Sequence, residues 1–217
     1  KSKWMYYAIE TYSDPESKWH KHCDYDGYIL KGTDFPEDFS FVDGMEAVWL
    51  PSWKNVRLPV EKLYRREDGN YVMTLKQPSF DAVINTAAFM KPDYPFYFEN
   101  TPEFLDEPGE FYFNKDTKVL TYYPRENENM EEVDCFIPNV EKLIDLRGES
   151  LTNKIRNITF KGIKFKHGAW EYVTENGIGT RQSEQMITPT GYKMIPAQIQ
   201  VVNGENINFV ENEFTHL

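Results

Sequence analysis

The sequence predicts an all-β protein, with an antiparallel β-sandwich or barrel-like domain followed by the first turns of a right-handed parallel β-helix. Three observations support this prediction. Short segments of alternating apolar and polar residues recur along the chain, separated by turn residues such as Asp-Gly and Pro-Gly. One stretch, Asn157–His167, returns near the C-terminus as Asn206–His216. Aromatic residues, which are enriched in strands, make up 16% of the chain.

The repeated stretch reads NITFKGIKFKH in its first copy and NINFVENEFTH in its second. The copies share Asn, Ile, Phe, Phe and His in register, and each follows another apolar segment that ends in glycine, Leu143–Gly148 or Ile199–Gly204. A repeated unit of two short strands with Asn or Gly at the corners is typical of a solenoid. Each turn of the solenoid is called a coil below. The alternative is an antiparallel sandwich in which two strands are similar by chance, and it explains the matching register less well. We therefore predict that Phe160 stacks on Phe209 in adjacent coils.

The patterns predict a domain boundary, with an antiparallel β insertion domain at 1–130 and the start of the parallel β-helix at 131–217. In the first domain, Asp68-Gly69 lies between two alternating runs and predicts a hairpin. A second hairpin is predicted from Glu110–Asn114 and Val119–Tyr123. Pro108-Gly109 fits the central positions of a type II turn.

The remaining segments are assigned from composition. Asp81–Met90 is mildly helical and is followed by Pro92. Val133–Pro138 is predicted to be the strand that enters the coils. Between the two copies, Gly168–Pro196 is an insertion, and solenoids place such insertions on one face that often binds ligands. Since a solenoid needs about three repeats to bury a continuous core, we expect this chain to be part of a longer protein whose missing coils are its partner.

Charge and composition exclude several functional classes. The net charge is -11, from 24 basic and 35 acidic residues, which disfavours binding to nucleic acid. No apolar run approaches membrane-spanning length. The spacing of Cys23 and Cys135 is not that of a zinc site, so both a disulfide and two free thiols remain open. The sequence lacks a nucleotide-binding fingerprint, and we expect neither a cofactor nor a metal.

The segment Phe98–Pro124, with its LDEPGE motif, resembles bacterial right-handed β-helix proteins similar to glycoside hydrolase family 141. Ala47–Leu63 and Met73–Phe80 resemble the rest of the β-domain that interrupts the β-helix in those proteins, and Asn157–Trp170 resembles the re-entry into the coils. The resemblance implies a secreted, periplasmic or cell-surface bacterial hydrolase of complex plant or host polysaccharides, with fucosidase-like or xylanase-like activity. It also implies that the catalytic carboxylates lie in coils beyond Leu217.

Glycoside hydrolysis requires two carboxyl groups across the scissile bond. The candidates in this chain are Glu171 and Glu175, which lie in the insertion beside Trp170. Trp170 could stack on a sugar ring and His167 could face the cleft, so both are candidate substrate-binding residues. His216 is interpreted as a corner residue. The carboxylates around Pro108-Gly109 are interpreted as turn acceptors.

The sequence is also consistent with two further functional hypotheses. The aromatic-rich first domain could be a non-catalytic glycan-binding or structural module. The protein could also be a polysaccharide lyase, a class that usually needs a Lys or Arg base and calcium. Whether the longer protein is a hydrolase or a lyase, we expect the 217-residue chain alone to be inactive, because a catalytic site on a β-helix spans several coils.

Overall fold

The computed structural model of the protein describes residues 5–18, 24–37, 39–50, 55–86, 92–169, 178–180, 184–188 and 191–217. The strands are Ala8–Tyr12 (β1), Gly27–Leu30 (β2), Glu46–Trp49 (β3), Val56–Arg65 (β4), Tyr71–Leu75 (β5), Phe96–Glu99 (β6), Phe111–Asn114 (β7), Val119–Tyr122 (β8), Ile144–Arg147 (β9), Ile155–Lys161 (β10), Lys164–Lys166 (β11), Ile178–Thr180 (β12), Glu184–Thr188 (β13), Gly191–Met194 (β14), Ile199–Val202 (β15), Gly204–Val210 (β16) and Glu213–Thr215 (β17). One α-helix, Ser79–Thr86 (α1), lies among the described residues. The prediction of an all-β chain with an antiparallel sheet is confirmed.

The chain divides into two compact units. Unit 1 comprises Lys1–Glu132 and Tyr172–Met194, and unit 2 comprises Val133–Glu171 and Ile195–Leu217. The strand pairs of unit 1 are antiparallel, whereas those of unit 2 are parallel. Among the described residues, no helix is long and apolar enough to cross a membrane.

Strand β4 organises unit 1, because its two halves pair with different strands. Its first half pairs with β3, and its second half pairs with β5. The register shifts between Val60 and Lys62, which marks a bulge at the change of partner. Bulged strands of this kind form corners where one sheet passes into another. The resulting sheet runs in the order β1-β2-β5-β4-β12-β13-β14, with β3 joining β4 to β6.

The core of unit 1 is rich in aromatic side chains. Alternate residues of β3 and β6 face it, as period-two alternation requires, so that Ala47 and Trp49 pack with Phe96 and Phe98. The Trp49 and Phe96 rings lie 4.9 Å apart. The largest fully buried side chains are Trp49, Tyr28, Phe80, Phe96, Leu30, Met45, Leu58, Met73, Glu46, Val48 and Val56. Glu46 is the charged member of that set, and it lies on the face of β3 opposite Ala47.

Both predicted hairpins are present. Strands β4 and β5 pair across a turn in which Gly69 has φ of +85°, a conformation that favours glycine. Strands β7 and β8 form a separate two-stranded sheet, with Phe111 opposite Tyr122 and Phe113 opposite Leu120. The helical assignment of Asp81–Met90 is correct from Asp81 to Thr86, although the helix already begins at Ser79, and residues 87–91 lie outside the described part of the chain.

Unit 2 pairs the two copies of the repeated stretch in parallel and in the predicted register. Ile158 pairs with Ile207, and Phe160 with Phe209. The predicted stacking is confirmed, since the Phe160 and Phe209 rings are 5.0 Å apart and inclined by 13°. A second pair, Phe165 and Phe214, stacks at 5.2 Å. Strands β9 and β15 form a third parallel pair.

One strand prediction in unit 2 is wrong. Val133–Pro138 forms no strand, and the first strand of the unit is Ile144–Arg147. Phe136 and Ile137 are 65% and 75% exposed, so this segment has no apolar environment in which to bury a strand face. Pro138 also lacks the N–H that a ladder requires. Nearby, Cys135 is exposed and carries a free thiol, while Cys23 lies outside the described residues.

Candidate functional site

A charged network crosses three strands of unit 1 on the face opposite the aromatic core. Glu46 of β3 lies directly opposite Glu99 of β6, and Arg57 of β4 reaches both carboxylates. Its Nη1 donates to Oε2 of Glu46 at 2.9 Å and also to Oε2 of Glu99. Two carboxylates in a directly opposed cross-strand pair repel each other, so the shared guanidinium is what makes this pairing tolerable.

Burial dominates the electrostatics of this network. Glu46 is 1% exposed, and its burial raises the pKa of the carboxyl group, while the charge of Arg57 acts in the opposite direction. Its Oε1 atom is buried without a hydrogen-bond partner among the described residues. A carboxyl group shifted by desolvation and held by a specific charge partner is a candidate functional group.

The chain leaves β6 through a residue in left-handed conformation, Asn100, at φ of +61°. Asparagine tolerates this region better than most residues do. Its Nδ2 donates to Oε2 of Glu46 at 3.1 Å, which attaches the turn to the network. Pro102–Phe104 then forms a short 3-10 helix that places the Phe104 ring against Phe98, with ring centres 6.3 Å apart.

The LDEPGE motif closes the turn that follows. Gly109 has φ of +97°, and the backbone N–H of Glu110 donates to the carbonyl of Glu107, as predicted for a turn centred on Pro108-Gly109. Oε2 of Glu110 accepts hydrogen bonds of 3.0 Å from the backbone N–H groups of Asp106 and Glu107. The interpretation of these carboxylates as turn acceptors is therefore confirmed for Glu110.

These segments enclose a cleft of about 390 Å³ within unit 1. A volume of this size is in the range of small-molecule sites. Aromatic side chains and a few polar groups line it: Tyr6, Tyr97, Phe98, Glu99, Asn100, Thr101, Phe104, Leu105, Gly109, Glu110 and Phe111. Burial raises the pKa of Tyr97, and the neighbouring Glu99 carboxylate raises it further, so its hydroxyl stays protonated at neutral pH.

A second cleft of unit 1, of about 460 Å³, lies beside Asp14, Asp26 and Gln77. The Asp26 carboxylate serves local structure, since both of its oxygens accept hydrogen bonds, from the backbone N–H of Asp14 and from the hydroxyl of Ser17. The described residues that line this cleft are polar apart from Leu75, and none of them is aromatic.

The structure describes His167 but not the other site residues predicted from sequence. Trp170, Glu171 and Glu175 lie outside the described residues. The His167 ring stacks between Phe136 and His216, at centroid distances of 5.1 Å and 5.2 Å. Both histidines have positive φ, +58° and +54°, which is the geometry of corner residues. A role for His167 in substrate binding stays a prediction.

The Glu46–Arg57–Glu99 network was not predicted. The sequence contains one signal for it. Glu46 lies in a predicted strand between core residues, and the alternation of side chains along that strand puts Glu46 on the same face as Val48. The partners of Glu46 could not be identified, because Glu99 is remote in sequence and composition does not reveal which strands pair. Within the described residues, no three His, Cys, Asp or Glu side chains cluster in a way that could hold a metal ion.

Comparisons with known proteins give a single informative likeness. No protein-family profile matches the chain, and no curated protein matches it. Among solved structures, a protein named "Glycoside hydrolase" is similar, with a TM-score of 0.68 and 19% sequence identity. The alignment covers 97% of this chain and 41% of that protein, so the chain spans less than half of its length. The chain therefore shares the fold of the matching part of that protein.

Proposed function

We propose that this chain is part of a carbohydrate-active protein, a glycoside hydrolase that acts on complex plant or host polysaccharides. The observation that carries the proposal is the likeness over 97% of the chain to a protein named as a glycoside hydrolase. It agrees with the resemblance of the LDEPGE segment to the family 141-like proteins. Fucosidase-like or xylanase-like activity, and a location outside the cytoplasm of a bacterium, follow from that resemblance.

The proposal includes the architecture of unit 2 as the start of a right-handed parallel β-helix. Three parallel strand pairs with like residues in register support it. A further support is the asparagine ladder, in which Asn206 donates to Asn157 between strands 49 residues apart. Residues 172–194 of this interval belong to unit 1, and the rest makes one coil that returns the chain to the same position one layer further along the helix axis.

Additional coils of the same protein would complete the site. Phe209 and Phe214 are 36% and 45% exposed on the far side of the stacks that they form with Phe160 and Phe165. Another layer of apolar side chains would cover these rings, since a solenoid buries its core by stacking. A hydrolase groove on such a scaffold holds two carboxyl groups about 5 to 9.5 Å apart. We place that pair in those further coils, with Glu171 and Glu175 as the candidates within this chain.

Reducing-sugar release tests the proposal. The longest natural form of the protein is incubated with xylan, pectin and fucosylated oligosaccharides, and we expect release from at least one of them. The 217-residue chain alone is expected to release none. Failure of the longer protein on every substrate would contradict the proposal, and an unsaturated product absorbing in the ultraviolet would indicate a lyase. Turnover by the short chain that Glu171→Gln abolishes would place the acid in the insertion.

A further inference from the structure

We propose that the cleft between β6, the LDEPGE turn and β7 binds an uncharged oligosaccharide, as a subsite separate from any catalytic groove. The proposal deepens the proposed function and rests on it for the ligand class. It adds a position in unit 1 and a charge preference. The cleft is built entirely from residues of unit 1, between Tyr6 and Phe111.

An aromatic rim borders the cleft. Phe111 lines the cleft and is 70% exposed, on a two-stranded sheet that leaves its ring open to solvent. An exposed aromatic ring beside a concave site offers an apolar surface to a flat ligand. The C–H faces of a pyranose are such a surface. Tyr97 and Phe104 supply further rings within the same cleft.

A carboxylate lies next to these rings. Glu99 lines the cleft, and its side chain remains 36% exposed although Oε2 pairs with Arg57. A carboxylate accepts strong, charge-assisted hydrogen bonds, and sugar hydroxyls are their natural donors. Asn100 and Thr101 add an amide and a hydroxyl to the same wall. Rings beside a small number of orienting polar groups are typical of small-molecule sites.

The charge of the cleft lining is negative. None of the described residues that line the cleft is Lys or Arg, while Glu99 and Glu110 are acidic. The nearby guanidinium groups are already paired, Arg57 with Glu46 and Glu99, and Arg125 with Glu128. A uronic acid would therefore bring its carboxylate beside Glu99 and Glu110, where the adjacent cation, Arg125 next to Gly109, is already paired with Glu128. Neutral sugars avoid this repulsion, so the cleft favours them over pectic ligands.

The polar side chains of the cleft are preorganised. Arg57 and Asn100 both hold Glu46, and Arg57 also holds Glu99, so the polar wall is fixed before a ligand arrives. Glu110 fixes the opposite turn through two backbone hydrogen bonds. Binding to a rigid site loses less conformational entropy than binding to a mobile one.

Isothermal titration calorimetry on the 217-residue chain tests the proposal. The probes are xylohexaose, mannohexaose, cellohexaose and hexagalacturonate. We expect saturable binding of at least one neutral hexasaccharide and none of hexagalacturonate. Phe111→Ala should weaken the neutral ligand roughly five- to tenfold, as the loss of one stacked ring does. Phe111→Trp, which enlarges the ring, should retain or strengthen it.

Phe113→Ala is the matched control. Phe113 lies on the same face of β7, two residues from Phe111, and is 41% exposed. It is not part of the cleft lining. Its removal should leave the affinity unchanged, and thermal melting should show both variants folded.

Three outcomes would overturn the proposal. One is the absence of binding by every neutral hexasaccharide. Another is equally tight binding of hexagalacturonate, which would refute the charge preference. The third is an equal loss in Phe111→Ala and Phe113→Ala, which would place any ligand elsewhere. Absence of binding, with sugar release by the longer protein intact, would overturn this subsite and leave the proposed hydrolase standing.

Discussion

The side-chain amide of Asn206 donates a 2.7 Å hydrogen bond to Oδ1 of Asn157, its counterpart in the neighbouring parallel strand. Both residues have left-handed backbone, with φ of +55° and +57°. Asparagine is therefore used twice at this corner, once for its backbone tolerance and once for its amide.

Asn206→Ala should destabilise unit 2 by roughly 2 kcal/mol, from left-handed strain plus the lost hydrogen bond. Asn206→Gly separates the two causes, because glycine adopts the left-handed region without strain. We expect the glycine variant to lose only about 1 kcal/mol. Urea unfolding followed by circular dichroism measures both. Equal losses in the two variants would show that the backbone conformation contributes nothing.

Arg57→Met should destabilise unit 1 by about 3 kcal/mol, because it leaves the Glu46 carboxylate buried without its charge partner. The double variant Glu46→Leu/Arg57→Met should recover most of this loss, since Glu99 is 36% exposed and can be hydrated. Chemical denaturation of the four proteins of this cycle gives the coupling energy. A double variant no more stable than Arg57→Met would contradict a role for charge burial.

The same variant has a predictable pH dependence. Burial raises the pKa of Glu46, so the folded protein binds this proton more readily than the unfolded chain does. The cost of burying the charge is absent at pH values below the unfolded pKa and grows as the pH rises through the folded one. Arg57→Met should therefore regain stability as the pH falls from about 7 to about 4.5. Glu46→Gln/Arg57→Met should show no such gain.

Acid should weaken unit 2 through its surface ion pairs. A hydrogen bond from Lys166, with Lys164 nearby, lowers the pKa of Glu213, and Lys154 lowers that of Glu205 in the same way. Carboxyl groups with lowered pKa stabilise the fold at pH values above their unfolded pKa. This stabilisation is lost as the pH falls through the folded pKa.

Hydrogen exchange at the amides of β16 should therefore accelerate between about pH 5 and pH 3, after correction for the intrinsic rate. Salt at about 0.5 M should reduce the effect by screening. Lys154→Met, which removes the partner of Glu205 in β16, should diminish it, and Lys193→Met, in unit 1, is the control. Protection in β16 that does not change over this range would exclude the ion pairs as a source of stability.

Gly109→Ala should cost about 1 kcal/mol, because the residue at this position has positive φ. A Cβ atom there would lie 2.5 Å from the guanidinium of Arg125, but that side chain is 60% exposed and can move aside. Gly44→Ala is the matched control, since Gly44 has φ of +89° and open space around its Cβ position. Nearly equal losses are expected in thermal melts. A much larger loss at Gly109 would mean that Arg125 is held firmly.

The parts of the fold predicted from sequence are those specified by local chemistry or by repetition. Gly69 supplies the positive φ of the turn between β4 and β5, and Gly109 supplies that of the turn before β7, so both turns were predictable. The pairing of Phe160 with Phe209 was predictable because the two copies carry the same residues in the same order.

The unpredicted parts depend on pairing between distant segments that do not resemble each other. Arg57 must meet Glu46 and Glu99 from three strands, and nothing in the local pattern identifies that triplet. The strand predicted at Val133–Pro138 does not form, although its composition suits a strand. Phe136 and Ile137 are exposed, and among the described residues no strand pairs with this segment.

The antiparallel pairing of Ile178 in β12 with Arg57 in β4 has a consequence for folding during synthesis. More than half of the chain separates these two residues, so the sheet of unit 1 cannot be completed until β12 has left the ribosome. By then β9, β10 and β11 are already made, while their partners β15, β16 and β17 are still to come. Phe160 and Phe165 therefore lack their stacking partners Phe209 and Phe214 until β16 and β17 have been synthesised, an interval in which nascent chains are prone to associate.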